Sequence, residues 1–416
     1  MKRLYLLLFI CLASNMTAYS QVFVANYDES KVPGYTLPRV LAFTDGSAIT
    51  QRGEWEKRRD EILDIFSKEV YGVSPNWDGE MTATEVSSAE VGKAIRKEIK
   101  LTLHRKGKTV DMYLLLFMPH QQTTAPVFLG LNFYGNHTLS DDEEVLVTQS
   151  WMRDNKDLGI ENNRASAKSR GMRMPNWPVE DIVEKGYGLA SLYYGEIDPD
   201  FDDGFQNGVH GLFDQHRDES SWGSVAAWAW GLSRVMDYLV TLPGVDANKV
   251  AVLGHSRLGK AALWAGATDP RFSLIISNNS GCGGAALSRR RFGETVEKIN
   301  TSFPHWFTDS FKRYNGREDE LPVDQHQLLA TLAPRPLYIA SGEDDQWADP
   351  RGEFLGGVEA SLAYEIYQKT GIPTTEFPPV NQPVMGHIGY HIRSGGHGLL
   401  GYDWQQFLKF ADMHWK

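Results

Sequence analysis

The spacing of apolar and polar positions divides this chain into two regions. Across residues 97–117, apolar residues recur at alternate positions (Ile99, Leu101, Leu103, then Val110, Met112, Leu114) around a turn at Lys106, Gly107 and Lys108, which predicts an antiparallel hairpin. Beyond it the pattern changes to short continuous apolar runs at 126–131, 188–192, 250–253, 274–276 and 337–340. Such runs predict buried strands, and the segments between them are long enough for crossover helices. Helical periodicity is clearest over 224–242, 259–267, 353–368 and 404–414. Strands alternating with helices predict an α/β fold in three layers, with a mostly parallel central sheet covered by helices on both faces.

Two segments break this alternation. Residues 140–177 are polar with scattered Trp151, Met152, Met172 and Trp177, and residues 289–324 are charged around an aromatic island of Phe303, His305, Trp306 and Phe307. Insertions of this kind gather above the carboxyl ends of parallel strands, where ligands bind; the competing reading is plain surface loop. No Pro-, Ser- or Gly-rich linker divides the chain, so residues 21–416 are expected to form a single catalytic domain carrying both insertions. Residues 1–20 read as an export signal: Lys2 and Arg3 precede an apolar run over 4–12, and Ala18 and Ser20 supply small residues for cleavage near Ser20. That apolar run is too short for a membrane span. An exported protein, periplasmic or secreted, is expected.

Composition narrows the partners. The net charge of -11, without blocks of lysine or arginine, argues against nucleic acid. Cys11 lies in the leader, so Cys282 is the one cysteine of the mature chain, and the fold must rest on its core rather than on an internal disulfide. His210 and His216 are spaced too widely for the paired histidines of an H-E-x-x-H metal site, and no metal or cofactor is expected. Most of the 12 tryptophans and 17 tyrosines are expected in the core, yet aromatic rings on a cleft wall are also how proteins stack on sugar faces. A monomer is expected.

The sharpest local feature is the step from the 250–253 strand through Gly254, His255, Ser256, Arg257, Leu258 and Gly259 into a small-residue helix. A strand reversing into a helix at a serine is a nucleophile elbow, in which flanking glycines permit close approach and the hydroxyl stands above the sheet edge. The second glycine follows Ser256 by three residues rather than two, so the common G-x-S-x-G pattern is not met. A serine nucleophile needs a histidine to take its proton and a carboxylate to orient that histidine, in the chain order serine, acid, histidine. His397, between glycines ahead of the last helix, fits the base. His387 and His391 compete with it and read as a pocket wall or a structural hydrogen bond. Glu343, Asp344, Asp345 and Asp349 crowd the loop after the 337–340 strand, with Asp349 before Pro350 also suited to capping a helix.

Ser256–Arg257 with Gly259 and Lys260, followed by Asn279, Ser280, Gly281, Cys282, Gly283 and Gly284, resembles the glucuronoyl esterases of carbohydrate esterase family 15 over most of the mature chain. The resemblance implies an α/β-hydrolase fold and hydrolysis of the ester that joins (4-O-methyl-)glucuronic acid branches of xylan to lignin alcohols, so the substrate partner would be glucuronoxylan or a lignin–carbohydrate ester. By the same resemblance Ser256 is the nucleophile, His397 the base and Arg257 a cation at the oxyanion hole. Lys260 and Glu294 correspond to sugar-contacting residues and Trp347 to a tryptophan packing on the ring. Fungal members keep their triad acid where this chain has Asn279; bacterial members place one after the next strand, and Asp345 matches that position. Acetyl or feruloyl xylan esterase activity is an alternative on the same machinery, and a non-catalytic carbohydrate-binding protein is a second.

Overall fold

The computed structural model describes residues 23–120, 122–213 and 216–416, so the expected leader lies outside the described residues. Its strands are β1 (Glu80–Val91), β2 (Ala94–Arg105), β3 (Lys108–Pro119), β4 (Ala125–Asn132), β5 (Gly188–Tyr193), β6 (Val245–His255), β7 (Leu274–Asn278), β8 (Leu337–Gly342), β9 (Val384–Met385) and β10 (Ile388–Arg393). They join in one sheet in the order β1-β2-β3-β5-β4-β6-β7-β8-β10-β9. From β5 through β10 the neighbours run parallel, while β1, β2 and β3 at one edge and β9 at the other are antiparallel.

The hairpin foreseen from alternation is β2–β3, paired from Ala94↔Pro119 to Arg105↔Lys108. Only Lys106 (φ 49°) and Gly107 (φ 78°) lie between the strands, both left-handed as a two-residue hairpin turn requires. Successive residues of the parallel strands feed opposite faces. Val127, Leu129, Val250, Val252, Leu337 and Ile339 pack beneath the helices Ser224–Leu239, Arg257–Thr268 and Pro350–Glu365. Phe128, Ala251, Leu253, Ile276, Tyr338 and Ala340 meet the helix Gly401–Trp415 through Trp404, Phe407 and Phe410. Continuous apolar strands therefore sit in the middle of three layers.

Three strands of the sheet were not foreseen: β9, two residues pairing with β10, and β1 and β10, which escaped for different reasons. β1 is mostly exposed and offers no alternating apolar set; backbone pairing along β2 and ion pairs such as Lys97–Glu85 (2.7 Å) hold it, and its charges blunt an open edge. β10 is fully buried, yet His391 and Arg393 interrupt its apolar pattern. Both are tolerated because Asp403 of the last helix meets His391 Nε2 at 2.9 Å and Arg393 Nε at 3.0 Å, while Tyr338 donates its hydroxyl to His391 Nδ1 at 3.0 Å. His391 is thus a structural hydrogen-bonding histidine.

Truncating Phe407, which is fully buried against Tyr338 with ring centroids 5.4 Å apart, leaves a cavity between the sheet and the last helix. Phe407→Ala is expected to lower unfolding free energy by about 3–5 kcal/mol in chemical denaturation.

Candidate active site

β6 delivers Ser256 to the carboxyl edge of the sheet, and the helix Arg257–Thr268 starts at the next residue. Ser256 has φ 58° and ψ −131°, a conformation strained for any residue with a side chain. Its N–H donates to the Asn278 carbonyl at 2.8 Å and its carbonyl accepts from Gly259 N–H at 2.8 Å, so both neighbours fix the reversal. A Cβ at Gly254 would collide with the Leu258 carbonyl, and one at Gly259 would stand 3.0 Å from the Ser280 Cβ. The spacing that departs from the usual motif therefore still puts glycines at the two crowded points, while Leu258, in the usual glycine position, is buried.

The histidine and acid come from loops after adjacent parallel strands. β8 and β10 end at the pair Gly342↔Arg393, and beyond it Glu343 N–H donates to the Arg393 carbonyl (2.8 Å) and Asp344 N–H to the Gly395 carbonyl (3.1 Å). Across this seam His397 Nδ1 lies 2.6 Å from Asp345 Oδ2. A carboxylate only accepts, so the proton sits on Nδ1 and Nε2 is left as the basic nitrogen. Among the crowded acids, Asp345 and Asp349 are buried, and only Asp345 meets His397; Asp349 is left-handed (φ 52°), accepts from Gly352 N–H (2.9 Å) and pairs with Arg290 (2.8 Å). Asn279 Nδ2 donates to the same Asp345 oxygen at 2.7 Å. Burial would raise the Asp345 carboxyl, but the hydrogen bond and charge of His397, with Asn279, overturn this and hold it below its ordinary value.

Arg393 frames the histidine loop. Its Nη2 donates to the Gly398 carbonyl at 2.6 Å and its Nη1 to the Ser394 carbonyl at 3.1 Å, so one guanidinium grips both ends of the segment that carries His397. His255 adds a ring 4.5 Å from that of His397; burial first, and the charge of His397 second, push its pKa down to about 3, so it stays neutral beside the base.

Arg257 reaches into the cleft beside Ser256, where its guanidinium pairs with Asp200 and lies 4.9 Å from the Trp306 ring centroid. Asp200 also accepts from Trp306 Nε1 (2.7 Å), His305 Nε2 (2.9 Å) and the Tyr194 hydroxyl (3.0 Å). Burial would raise its carboxyl; these donors hold it below the ordinary range, so a full negative charge stands behind Arg257. Lys260 is buried and donates to the Ser280 carbonyl. Burial raises the Glu294 carboxyl, opposed by the charge of Lys260, a hydrogen bond from the Trp347 side chain and the charges of Arg257 and His397. Trp347 is 36% exposed. The structure thus brings Ser256, Arg257 and His397 onto one cleft with Asp345 behind His397, and sets Glu294 near Lys260, Arg257 and His397 with a hydrogen bond from the Trp347 side chain, while His391 is held within the sheet and His387 packs on His414. It adds Asp200, His305, His255 and Arg393, of which only the aromatic island carrying His305 left a visible signal in the sequence.

Glu353, fully buried on the helix Pro350–Glu365, accepts from Ser280 N–H (2.8 Å), Gly281 N–H (3.0 Å) and the Ser341 hydroxyl (2.7 Å), and so locks the loop after β7 that carries Asn279. Burial raises its pKa to about 7, with the hydrogen bonds opposing. A carboxyl whose folded value lies above its unfolded one favours folding most when protonated in both states, and that contribution is lost as pH rises from the unfolded value toward the folded one. Unfolding free energy is therefore expected to fall by about 2–3 kcal/mol more in the wild type than in Glu353→Gln as pH rises from 4.5 to 7, measured by denaturant titration.

A family profile described as glucuronyl esterase, fungi, matches residues 183–371. A carbohydrate esterase, MZ0003, from an unknown prokaryotic organism is 47% identical over 427 residues, covering 100% of this chain and 99% of its own. A 4-O-methyl-glucuronoyl methylesterase of Wolfiporia cocos is 28% identical over 83% of this chain and 75% of its own. Among solved structures, a promiscuous CE15 esterase from a marine bacterial metagenome superposes with a TM-score of 0.89 at 48% identity, covering 94% of this chain and 100% of that one. A glucuronoyl esterase from Solibacter usitatus gives a TM-score of 0.88 at 48% identity, covering 93% and 100%. With relatives of this identity aligned along nearly the whole of both chains, the chain belongs to carbohydrate esterase family 15 as a carboxylic ester hydrolase.

Proposed function

We propose that this esterase hydrolyses the ester between (4-O-methyl-)glucuronic acid branches of xylan and lignin alcohols, through a Ser256–His397–Asp345 triad. The observation that carries the reading is the His397–Asp345 pair at 2.6 Å, which leaves the imidazole Nε2 as the base in the cleft that Ser256 lines. Ser256 Oγ attacks the uronyl carbonyl carbon as His397 takes its proton. The carbonyl oxygen becomes an oxyanion, which the Arg257 guanidinium and the N–H at the start of its helix stabilise. His397 then gives the proton to the departing alcohol, leaving a glucuronoyl ester on Ser256. Water, deprotonated by His397, attacks that ester, and the uronic acid leaves as Ser256 regains its proton.

Asp200 fixes Arg257 and screens its charge, so that the group responds to the developing oxyanion rather than wandering. Lys260 and Glu294 suit the hydroxyls of a polar uronate ring and Trp347 its face. The names of the relatives, glucuronoyl esterases and 4-O-methyl-glucuronoyl methylesterases, favour the same substrate class. The basic, apolar start of the chain (Lys2, Arg3, then residues 4–12) supports work outside the cytoplasm, and no helix among the described residues is long and apolar enough to cross a membrane.

The test is hydrolysis of benzyl glucuronate beside benzyl galacturonate and acetylated xylan. Cleavage of the glucuronate ester that disappears in Ser256→Ala and falls by about 10⁴ in kcat in Asp345→Asn is expected. Activity on acetylated xylan alone would transfer the function to deacetylation, and no serine-dependent activity would leave a sugar-binding protein. Because Arg393 grips the histidine loop by two carbonyls, Arg393→Lys, which keeps the charge beside Asp403 but cannot span both, is expected to lower kcat about 10-fold with KM within twofold.

A further inference from the structure

Ser256 follows β6, whose neighbours are β4 on one side and β7, then β8, on the other. The residues read above as holding the uronate ring stand on the second side: Glu294 follows β7, Trp347 follows β8, and Lys260 donates to the carbonyl of Ser280 after β7. The opposite wall of the cleft, which encloses about 310 Å³, comes from the segments after β4, among them Tyr134, Arg153, Asp154 and Arg173.

That wall is cationic and uncompensated. Arg173 is half-buried with its guanidinium 5.3 Å from the Tyr134 ring centroid, and Arg153 is exposed at the cleft mouth. Among the described residues neither guanidinium meets a carboxylate, whereas Arg257 has Asp200 and Lys260 has a carbonyl with Glu294 nearby. The carboxylate on the same wall, Asp154, is turned back to accept Asn163 N–H at 2.6 Å. In a chain of net charge -11, two unpaired arginines converging on a reactive serine mark a place for an anion.

The two halves of an ester leave its carbonyl carbon in different directions. With the uronyl ring toward Glu294 and Trp347, the alcohol half runs toward β4 and meets Arg153 and Arg173. We propose that these two arginines form an alcohol subsite for a leaving group that itself carries a carboxylate, making esters of acidic alcohols better substrates than esters of neutral ones. The inference rests on the uronate reading given above. Arg173 suits the role because stacking on Tyr134 restricts its planar fork, and a guanidinium binds a carboxylate by two parallel hydrogen bonds. Arg153, more exposed, adds attraction that salt screens.

The test compares kcat/KM for glucuronate esters of benzyl alcohol and of 4-(hydroxymethyl)benzoate. The wild type is expected to prefer the carboxylate-bearing ester about fivefold at low salt, with the preference shrinking in 0.5 M NaCl. In the double variant Arg153→Gln, Arg173→Gln the ratio is expected to fall to about one. A wild-type ratio of one or less, or a ratio unchanged in the variant, would overturn the subsite. Failure of the uronate reading is seen separately, as absence of Ser256-dependent cleavage of both esters. In that event equilibrium binding of 4-(hydroxymethyl)benzoate alone still decides: binding to the wild type that the double variant loses supports the anion site, and equal or absent binding refutes it.

Discussion

The parallel pairing of β8 with β10 is the constraint on which the cleft depends. The two strands end level at Gly342 and Arg393, so the loops that follow leave the sheet at the same height and side. A Cβ at Gly342 would stand 2.7 Å from the Gly396 carbonyl, which shows how little space separates the acid loop from the histidine loop. Backbone hydrogen bonds then zip the two together before any side chain is considered. The 2.6 Å contact between His397 and Asp345 is the product of this backbone geometry, and the buried Arg393–Asp403 pair keeps it from drifting.

A second layer of organisation is electrostatic. On the side of the cleft away from β4 the charges have partners: Asp200 for Arg257, a carbonyl for Lys260, His397 and Asn279 for Asp345. Removing any one of these would strand a charge in a poorly solvated place, a loss larger than the pair itself contributes. Asn279 illustrates the economy of the arrangement. A carboxylate there would face Asp345 across 2.7 Å and repel it; the amide of Asn279 instead donates to it.

Much of this was legible in the sequence because it is written in local patterns. The central strands are continuous apolar runs, the hairpin turn needs two left-handed residues and has Lys106–Gly107, and the elbow is announced by Gly254 and Ser256. What escaped is written in contacts between distant residues. β10 is hidden because His391 and Arg393 look exposed until Asp403, on another element, neutralises them. Asp200 looks like one more loop acid until His305, Trp306 and Arg257, distant in sequence, converge on it. Spacing alone gives the four neighbouring acids the same claim; the family resemblance pointed to Asp345, and it is the one that meets His397 in the structure.

His397 retains 44% of its side-chain exposure although its partner Asp345 retains 5%. In the reaction proposed above, a base this open to solvent can take its hydrolytic water directly from bulk, so the second half of the cycle needs no internal water store.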